Sequence, residues 1–280
     1  MKRDEIHIRD PFVFAENGKY YLLGTTGGDP WERGSDLVLY VSEDLEQFEK
    51  KCVLVTDDSL SSYQNIWAPE LHKYRDKYYL IVSAYRADLG RGSIILVSDA
   101  LDENFKRLTG EYITPKGWGC LDATLFVYRN KPYLCFSNEW TTPVSHDGDG
   151  SLFIAEMKED LTALIGQPQK IISGKQSGIA VEIGEGQIKG YVAEGPWLYG
   201  ENGKIVLLWS TIGKNGYMVV RSISANGVFG EYIFDKILFD RDGGHCMCFT
   251  DFKGERVLAL HQPNVSPEER MRLFSLRELG

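Results

Sequence analysis

The chain has 280 residues, 43% of them hydrophobic and 25% charged, which is ordinary for a globular protein. Its net charge of -9 is unfavourable for binding nucleic acid or anionic lipid, so we expect no nucleic-acid partner, no membrane association and a neutral substrate. Aromatic residues make up 12% of the chain, which favours strands over helices and offers stacking faces for a ligand.

The N-terminal segment and the cysteines suggest a cellular location. The first residues, MKRDEIHIRDPF, contain no apolar signal-peptide region, and no run of about 18 apolar residues occurs in the chain. The five cysteines form no short-spaced metal pattern, since Cys246 and Cys248 are one residue apart and too close for a zinc knuckle. They indicate buried thiols in a reducing compartment, so we expect a cytoplasmic protein.

One pattern recurs five times along the chain: a polar segment beside Pro or Gly precedes an aromatic or aliphatic run. In chain order the polar segments are Asp10-Pro11, Ala68-Pro69-Glu70, Asp122-Ala123, Glu194-Gly195-Pro196 and Gly244-His245. The runs begin, with spacings of 52 to 72 residues, at Tyr20, Tyr78, Tyr133, Ile205 and Val257. A repeat of this length is typical of a propeller blade.

Short alternating stretches bounded by turn residues lie between these runs, and no segment carries a long helical period of apolar residues. Five units with room for four strands each predict an all-β chain, folded as a five-bladed β-propeller in a single domain over residues 1–280. A β-sandwich is the alternative, but it does not explain the similar distance between polar segment and run. The longest spacing predicts an extended loop around residues 174–190.

Polar residues at matching positions of the innermost strands would converge on one end of the propeller axis. This ring is predicted to contain Asp10, Glu70, Asp122, Glu194 and His245. Like charges in a partly desolvated hollow raise one another's pKa, and such an arrangement indicates a functional site. Paired carboxylates suit hydrolysis of a glycosidic bond, because an ionised one activates water while a protonated one donates to the leaving oxygen.

Five segments resemble the blade motifs of glycoside hydrolase family 43, and the resemblance extends over about residues 6–265. They begin at Arg9, Trp67, Leu121, Glu194 and Gly243, and read RDPF, WAPELHKY, LDATLF, EGPWL and GGH. A further segment, ALHQPN from Ala259, resembles the end of the last blade in arabinanase-like members. The resemblance implies a five-bladed propeller that hydrolyses arabinosyl, xylosyl or related linkages with inversion at the anomeric carbon.

The resemblance also implies roles for individual residues. Asp10 is the expected general base, Glu194 the expected general acid, and Asp122 the residue that orients the acid and tunes its pKa. An inverting enzyme needs the carboxyls of base and acid roughly 6.5–9.5 Å apart, with space for a water. His245 matches an axial histidine of the family, which implies contact with substrate or a place beside a bound Ca²⁺ or other ion; no cofactor is required.

Aromatic faces and axial side chains are the expected contacts for a sugar. The predicted substrate-binding residues are Trp67, Glu70, Trp140, Trp197 and His245. Glu70 stands where the family commonly has Asp, and its longer arm would reshape the base of the pocket. Trp31 and Trp118 are expected at the rim of the cleft.

The expected function is therefore inverting hydrolysis of α-L-arabinofuranosyl or β-xylosyl linkages in oligosaccharides or polysaccharides from plants. A glycoside phosphorylase of similar architecture is one alternative, which needs cations for phosphate; Arg9, Arg86 and Arg91 are the candidates. A non-catalytic carbohydrate-binding propeller is the other. The sequence does not distinguish attack at chain ends from attack inside a chain, and it predicts no oligomeric state.

Overall fold

β-Strands account for nearly all regular structure in the part of the chain that the computed structural model describes, residues 1–27, 34–141, 148–186 and 188–279. The other regular elements in these ranges are three 3-10 turns: Arg3–Glu5, Asp58–Leu60 and Lys175–Ser177. No helix within them has the length and apolar character needed to cross a membrane. Trp31, predicted at the rim of the cleft, lies outside the described residues.

The strands form five antiparallel sheets arranged as the blades of a propeller, which confirms the predicted fold class. Blade I comprises β1 (Arg9–Glu16), β2 (Lys19–Thr25), β3 (Val38–Ser42) and β4 (Glu49–Val53). Blade II comprises β5 (Gln64–Tyr74), β6 (Lys77–Arg86), β7 (Gly90–Ser98) and β8 (Lys106–Arg107). Blade III comprises β9 (Cys120–Tyr128), β10 (Lys131–Asn138), β11 (Ser151–Met157) and β12 (Leu164–Ser173).

A two-stranded hairpin of β13 (Ile183–Glu185) and β14 (Ile188–Gly190) follows blade III. Blade IV comprises β15 (Glu194–Glu201), β16 (Lys204–Gly213), β17 (Gly216–Ser224) and β18 (Ile233–Phe239). Blade V has three strands in the described residues: β19 (Gly244–Thr250), β20 (Arg256–Gln262) and β21 (Arg270–Ser275). Within each blade, strands that are consecutive in the chain are neighbours in the sheet.

Each predicted aromatic or aliphatic run lies in the second strand of its blade. One leucine of every run is 0% exposed: Leu22, Leu80, Leu134, Leu207 and Leu258. Full burial of a leucine side chain contributes about 1.5–3 kcal/mol relative to leaving it exposed. The run therefore recurs because each blade needs an apolar second strand to pack against its neighbours.

The N-terminal residues join blade I to blade V. The Ile8 N–H donates to the carbonyl of Glu269 at 3.3 Å. The Arg272 guanidinium lies 2.7 Å from a carboxylate oxygen of Asp4, and Arg270 donates to the Asp4 carbonyl at 2.8 Å. The first and last elements of the chain thus close the ring.

The connection between blades III and IV, predicted as an extended loop, contains the hairpin of β13 and β14 instead. The buried carboxylate of Asp149 anchors its base by accepting hydrogen bonds from the Ser173 hydroxyl at 2.6 Å and the Lys175 N–H at 2.9 Å. Ile183 of the hairpin lines a cavity at the end of the propeller axis. This connection therefore forms part of the wall of that cavity.

Candidate active site

The inner strand of every blade contains the same irregularity. In blade I, Arg9 pairs with Thr25 and Phe12 with Leu23, so two residues of β1 oppose one of β2, as in a β-bulge. Register shifts interrupt the other four inner strands at the equivalent place. The first residue of each bulge has a positive φ: Asp10, Ala68, Asp122, Gly195 and His245. For residues other than glycine this conformation is strained, and such strain occurs at functional sites.

A side chain of the preceding blade holds each bulge region in place. The N–H groups of Ala68, Asp122 and His245 donate to the hydroxyls of Thr25, Ser83 and Ser210 at 2.8, 2.7 and 2.8 Å. The Ser137 hydroxyl donates to the Ala193 carbonyl at 2.6 Å, and the Asp10 N–H donates to Nδ1 of His261 at 3.2 Å. These contacts link all five blades, so the position of every bulge depends on its neighbour.

A cavity of about 400 Å³ opens where the bulges converge. It brings together six of the eight predicted site residues: Asp10, Trp67, Asp122, Trp140, Glu194 and His245. Residues that the prediction did not assign to the site also line it, among them Thr25, Tyr217, Asn264 and Ile183. The inner strands thus present polar groups to one place, as the repeat predicted.

Glu70 and Trp197, both predicted to bind substrate, do not line this cavity. They occupy equivalent positions beyond the bulge, where Glu70 pairs with Ile81 and Trp197 with Leu208. Glu70 contacts Nε2 of His72 at 2.7 Å. The prediction aligned Glu70 with Asp10, whereas the residue of blade II that is equivalent to Asp10 is Ala68, two positions earlier.

Trp197 packs inside the propeller rather than against the cavity. Its ring lies edge-on to Phe12, with 5.6 Å between ring centroids, and stacks on His72 at 6.2 Å. Trp118, expected at the rim, packs edge-on against Phe153 at 5.1 Å. Trp197 therefore contributes to packing between blades and not to the lining of the cavity.

The carboxylate of Asp10 lies among positive and hydrogen-bonding groups. Its Oδ2 accepts a hydrogen bond from the Thr25 hydroxyl at 2.7 Å, and its Oδ1 is 3.2 Å from Nδ1 of His245. Burial alone would raise the pKa of Asp10, but His245, His261, Arg9 and the Thr25 hydroxyl outweigh it and lower the pKa below its ordinary value. Asp10 is therefore ionised at neutral pH.

Arg9 of blade I, which contacts residues of blade V, and His261 of blade V fix the surroundings of Asp10. The Arg9 guanidinium donates to the fully buried carboxylate of Glu269 at 2.6 Å and to Oδ1 of Asn264 at 2.9 Å. Burial lowers the pKa of His261 to about 4, so its ring is neutral near pH 7. Because Nδ1 accepts the Asp10 N–H, the proton is on Nε2, which donates to Asn264 at 3.1 Å.

Glu194 is in the opposite electrostatic situation. Its Oε1 accepts a hydrogen bond from the Tyr217 hydroxyl at 2.7 Å. Burial raises the pKa of Glu194, with a further contribution from the Asp10 charge, and Tyr217 and His245 only partly oppose it. One cavity therefore holds one carboxyl whose pKa is lowered, Asp10, and another whose pKa is raised, Glu194.

Asp122 is connected to the backbone beside Glu194. Its Oδ2 accepts the N–H of Gly195 at 3.2 Å and lies 3.8 Å from Nδ1 of His245. Burial raises the pKa of Asp122 to about 7, helped by the charges of Glu194 and Asp10 and opposed by His245. The charge of Glu194 is one cause of the raised pKa of Asp122, so the titrations of these two carboxyls influence each other.

The ring of His245 stands between two carboxylates. Burial would lower its pKa, but Asp10, Asp122 and Glu194 outweigh this effect and raise it. A calcium ion takes six to eight oxygen ligands. The described residues contain no group of three or more His, Cys, Asp or Glu side chains arranged to hold a metal ion, and Nδ1 of His245 faces carboxylates. The ion that the resemblance implied beside His245 stays a prediction.

Two tryptophans form walls of the cavity. The guanidinium of Arg91 lies 3.6 Å from the centre of the Trp67 ring. Trp140 lies so close to the hairpin that a Cβ on Gly190 would be 2.6 Å from its ring. Both side chains are held by neighbours and present an aromatic surface to the cavity.

Tyr217 and Asn264 are the functional candidates that the repeat did not reveal as site residues. Tyr217 is at the start of a third strand, so it belongs to none of the five polar segments. Asn264 does lie in the ALHQPN segment, which carries part of the family resemblance and was therefore a usable signal. The repeat could find residues of the inner strands only.

A family model described as "Glycosyl hydrolases family 43" matches residues 5–273. An endo-arabinase from Bacteroides thetaiotaomicron VPI-5482 has a similar structure, with a TM-score of 0.88 and 29% identity, covering 98% of this chain and 96% of that one. A solved α-L-arabinofuranosidase from Lactobacillus brevis, 18% identical with a TM-score of 0.72 over 96% and 90% of the two chains, shares the fold.

Two curated relatives are similar in sequence. The extracellular exo-α-(1→5)-L-arabinofuranosidase of Streptomyces chartreusis is 29% identical over 167 residues, which is 58% of this chain and 47% of the relative. The α-L-arabinofuranosidase B of Pyricularia oryzae is 28% identical over 207 residues, 72% of this chain and 40% of the relative. The chain thus spans less than half the length of the curated relatives it matches.

The predicted cytoplasmic location is contradicted by the first of these relatives, which is named an extracellular enzyme. The cysteines had supported that prediction. Four of the five free thiols are buried: Cys120, Cys135, Cys246 and Cys248. Burial protects thiols from oxidation in any compartment and raises their pKa, so their number carried no information about location.

Proposed function

Because the chain belongs to glycoside hydrolase family 43, we propose that it hydrolyses glycosidic linkages of plant oligosaccharides or polysaccharides with inversion at the anomeric carbon. α-L-Arabinofuranosyl linkages are the first candidates, since both curated relatives and the endo-arabinase from Bacteroides thetaiotaomicron are named for arabinan or arabinofuranoside chemistry. β-Xylosyl linkages are the second. The observation that carries the proposal is the opposite shift in pKa of Asp10 and Glu194 within one cavity.

In the proposed mechanism Asp10 acts as the general base and Glu194 as the general acid. Asp10, kept ionised by its surroundings, removes a proton from a water that attacks the anomeric carbon. Glu194, whose pKa is raised by burial, donates its proton to the departing oxygen. Inversion predicts a separation of roughly 6.5–9.5 Å between the two carboxyl groups, which leaves room for this water.

Asp122 and His245 assist the two proton transfers proposed for Asp10 and Glu194. The carboxyl of Asp122 accepts a hydrogen bond from the N–H of Gly195, the residue after Glu194, and the charge of Glu194 raises the pKa of Asp122. Both contacts suit the proposed role of Asp122, which is to orient the acid and tune its pKa. The His245 ring places positive charge beside Asp10 and keeps it ionised. Any contact of His245 with substrate would come from the part of the ring that faces the cavity.

Trp67 and Trp140 are the proposed substrate platforms. Both line the cavity, and the C–H-rich faces of sugars pack well on aromatic rings. The hairpin of β13 and β14 supports Trp140 from behind, so it contributes to the shape of the same wall.

The contacts of the arginines disfavour a phosphorylase. Arg86 is paired with Asp88 at 2.6 Å, Arg91 lies over Trp67, and Arg9 is bound to the buried Glu269. Recognition of phosphate requires cations that converge on it with donors to spare. A non-catalytic carbohydrate-binding propeller would not need Asp10 and Glu194 to have pKa values shifted in opposite directions.

A screen of substrates with two variants tests the proposed function. Wild type is offered linear arabinan, arabino-oligosaccharides and the nitrophenyl glycosides of arabinofuranose and xylose, with and without phosphate. Asp10→Asn and Glu194→Gln are expected to lose about 10²–10⁴-fold in kcat on the best unactivated substrate, and NMR of the fresh product should show the inverted anomer. Turnover near wild type in either variant, or a phosphorylated product, would refute the assignment.

A further inference from the structure

Tyr217 lies at the active-site cavity although it belongs to none of the five repeated polar segments. It is the second residue of β17, the third strand of blade IV, and its side chain is 1% exposed. Its hydroxyl nevertheless reaches the cavity and lies 2.7 Å from Oε1 of Glu194. A buried ring thus presents one polar atom to the proposed acid.

The ring of Tyr217 cannot move away from this contact. One face stacks on His261, with ring centroids 5.5 Å apart. Gly244 lies so close that a Cβ there would be 2.5 Å from the ring. The backbone is held as well, because the Tyr217 N–H donates to Asp242 at 3.2 Å and its carbonyl accepts the Gly243 N–H at 2.8 Å.

We propose that Tyr217 is the positioning residue of the general acid: its fixed hydroxyl donates to Oε1 of Glu194 and so confines the transferable proton to Oε2. This inference rests on the proposed function. Among the described residues, the hydrogen-bond partner of the Tyr217 hydroxyl is Oε1 of Glu194. The hydroxyl has one proton, and it donates this proton to Oε1. With one oxygen occupied as an acceptor, the carboxyl presents its proton on the other.

The hydrogen bond also sets the charge state of Glu194. The groups that act on Glu194 are Tyr217 of its own blade, His245 of blade V, and Asp10 and Arg9 of blade I. Asp122 of blade III is also near, since Glu194 acts on its titration. Tyr217 is the hydrogen-bond donor in this set, and it stabilises the carboxylate that remains after proton transfer. Without it the acid would hold its proton more tightly and in no fixed orientation.

Tyr217→Phe, which removes only the hydroxyl, tests the proposal. The variant is expected to lose about 10–100-fold in kcat on an arabino-oligosaccharide, because its leaving group needs the proton. On a dinitrophenyl arabinofuranoside, whose leaving group departs without protonation, the loss is expected to be below about threefold. The alkaline limb of the pH profile should move to higher pH, since the pKa of the acid rises. KM should change little.

A matched control is Tyr232→Phe, which removes another buried tyrosine hydroxyl near blade IV, one that donates to the Val228 carbonyl at 3.1 Å. Tyr232→Phe should have the pH profile of wild type and the same ratio of kcat on the oligosaccharide to kcat on the dinitrophenyl glycoside. Equal losses on both substrates with an unmoved alkaline limb in Tyr217→Phe would overturn the proposal and assign the hydroxyl a purely structural role.

A titration that needs no turnover separates this proposal from the proposed function. Carbon NMR of ¹³C-labelled carboxyl groups, assigned with Glu194→Gln, follows the ionisation of Glu194 directly. A higher apparent pKa in Tyr217→Phe supports the hydrogen bond even if no tested sugar is hydrolysed, in which case the hydrolase function fails alone. An unchanged pKa overturns the role of Tyr217 whatever the activity.

Discussion

Replacing Thr25 by valine should impair both the base and the fold, because one hydroxyl serves two partners. It donates to Oδ2 of Asp10 at 2.7 Å and accepts the N–H of Ala68 at 2.8 Å. Valine has nearly the same shape, so the substitution removes these two hydrogen bonds and little packing. Thr25 and Ala68 are each 3% exposed, so water does not easily replace the partner that the Ala68 N–H loses.

The magnitudes follow from the two contacts. A hydrogen bond to a charged group is worth about 1.5–3 kcal/mol, and 1.36 kcal/mol corresponds to one pKa unit, so the pKa of Asp10 should rise by about one to two units. The base must be ionised to act, hence the acidic limb of kcat/KM should move to higher pH by the same amount. The unpaired N–H of Ala68 should add a loss of about 1–3 kcal/mol in the free energy of unfolding.

The assay combines the pH dependence of kcat/KM with urea unfolding near pH 7. The folded-state pKa of Asp10 is below its unfolded value, so its stabilising contribution is present above the unfolded pKa and is lost as pH falls through the folded pKa. Ser83→Ala is the control, because this hydroxyl accepts the N–H of Asp122. It should lower stability and leave the acidic limb in place. An acidic limb that does not move in Thr25→Val would refute the reasoning.

Three further predictions concern the walls of the site. Gly244→Ala should lower the free energy of unfolding by about 1–3 kcal/mol in urea, because its Cβ would be 2.5 Å from the buried ring of Tyr217. Trp140→Ala should raise KM for oligosaccharides and increase proteolysis of the hairpin, since the indole packs against Gly190. Glu269→Gln should lower the free energy of unfolding by about 3–5 kcal/mol, because it removes the fully buried carboxylate that pairs with the half-buried guanidinium of Arg9.

A control or a contradicting outcome accompanies each of these variants. Gly200→Ala, where a Cβ meets nothing within 4 Å, should be neutral beside Gly244→Ala. Unchanged KM and an intact hairpin in Trp140→Ala would exclude its proposed place in the substrate wall. If Glu269→Gln unfolded like wild type, the contact of Glu269 with Arg9 would not be a stabilising one.

The propeller could be predicted from the sequence because its cause is local and repeated. Every blade needs an apolar second strand, and the buried leucine of each run, such as Leu22 or Leu80, is a consequence of that need. The positions of Asp10, Asp122 and His245 followed, since each is the first residue of a bulge that comes at a similar distance before the run. Glu194, one residue before its bulge, still faces the cavity.

The remainder of the site depends on strand register and on contacts between strands, which the spacing of residues along the sequence does not reveal. Glu70 and Ala68 differ by two positions, and only the register of β5 against β6 shows which of them corresponds to Asp10. The aromatic ring of Trp197 is of a kind that sugars pack against, yet the position of Trp197 in β15 directs the ring into the core. Tyr217 enters the cavity from a third strand, where no repeated segment marks it.

The contact between the Asp10 N–H and His261 has a consequence for fragments and permutations of this chain. It joins the first blade in the sequence to the last, so the base acquires its surroundings only when the circle of blades is complete. A chain cut between blades can keep every proposed catalytic residue and still lack a base with a lowered pKa, until its two parts reassociate. Hydrolysis by mixed fragments would thus report closure of the propeller itself.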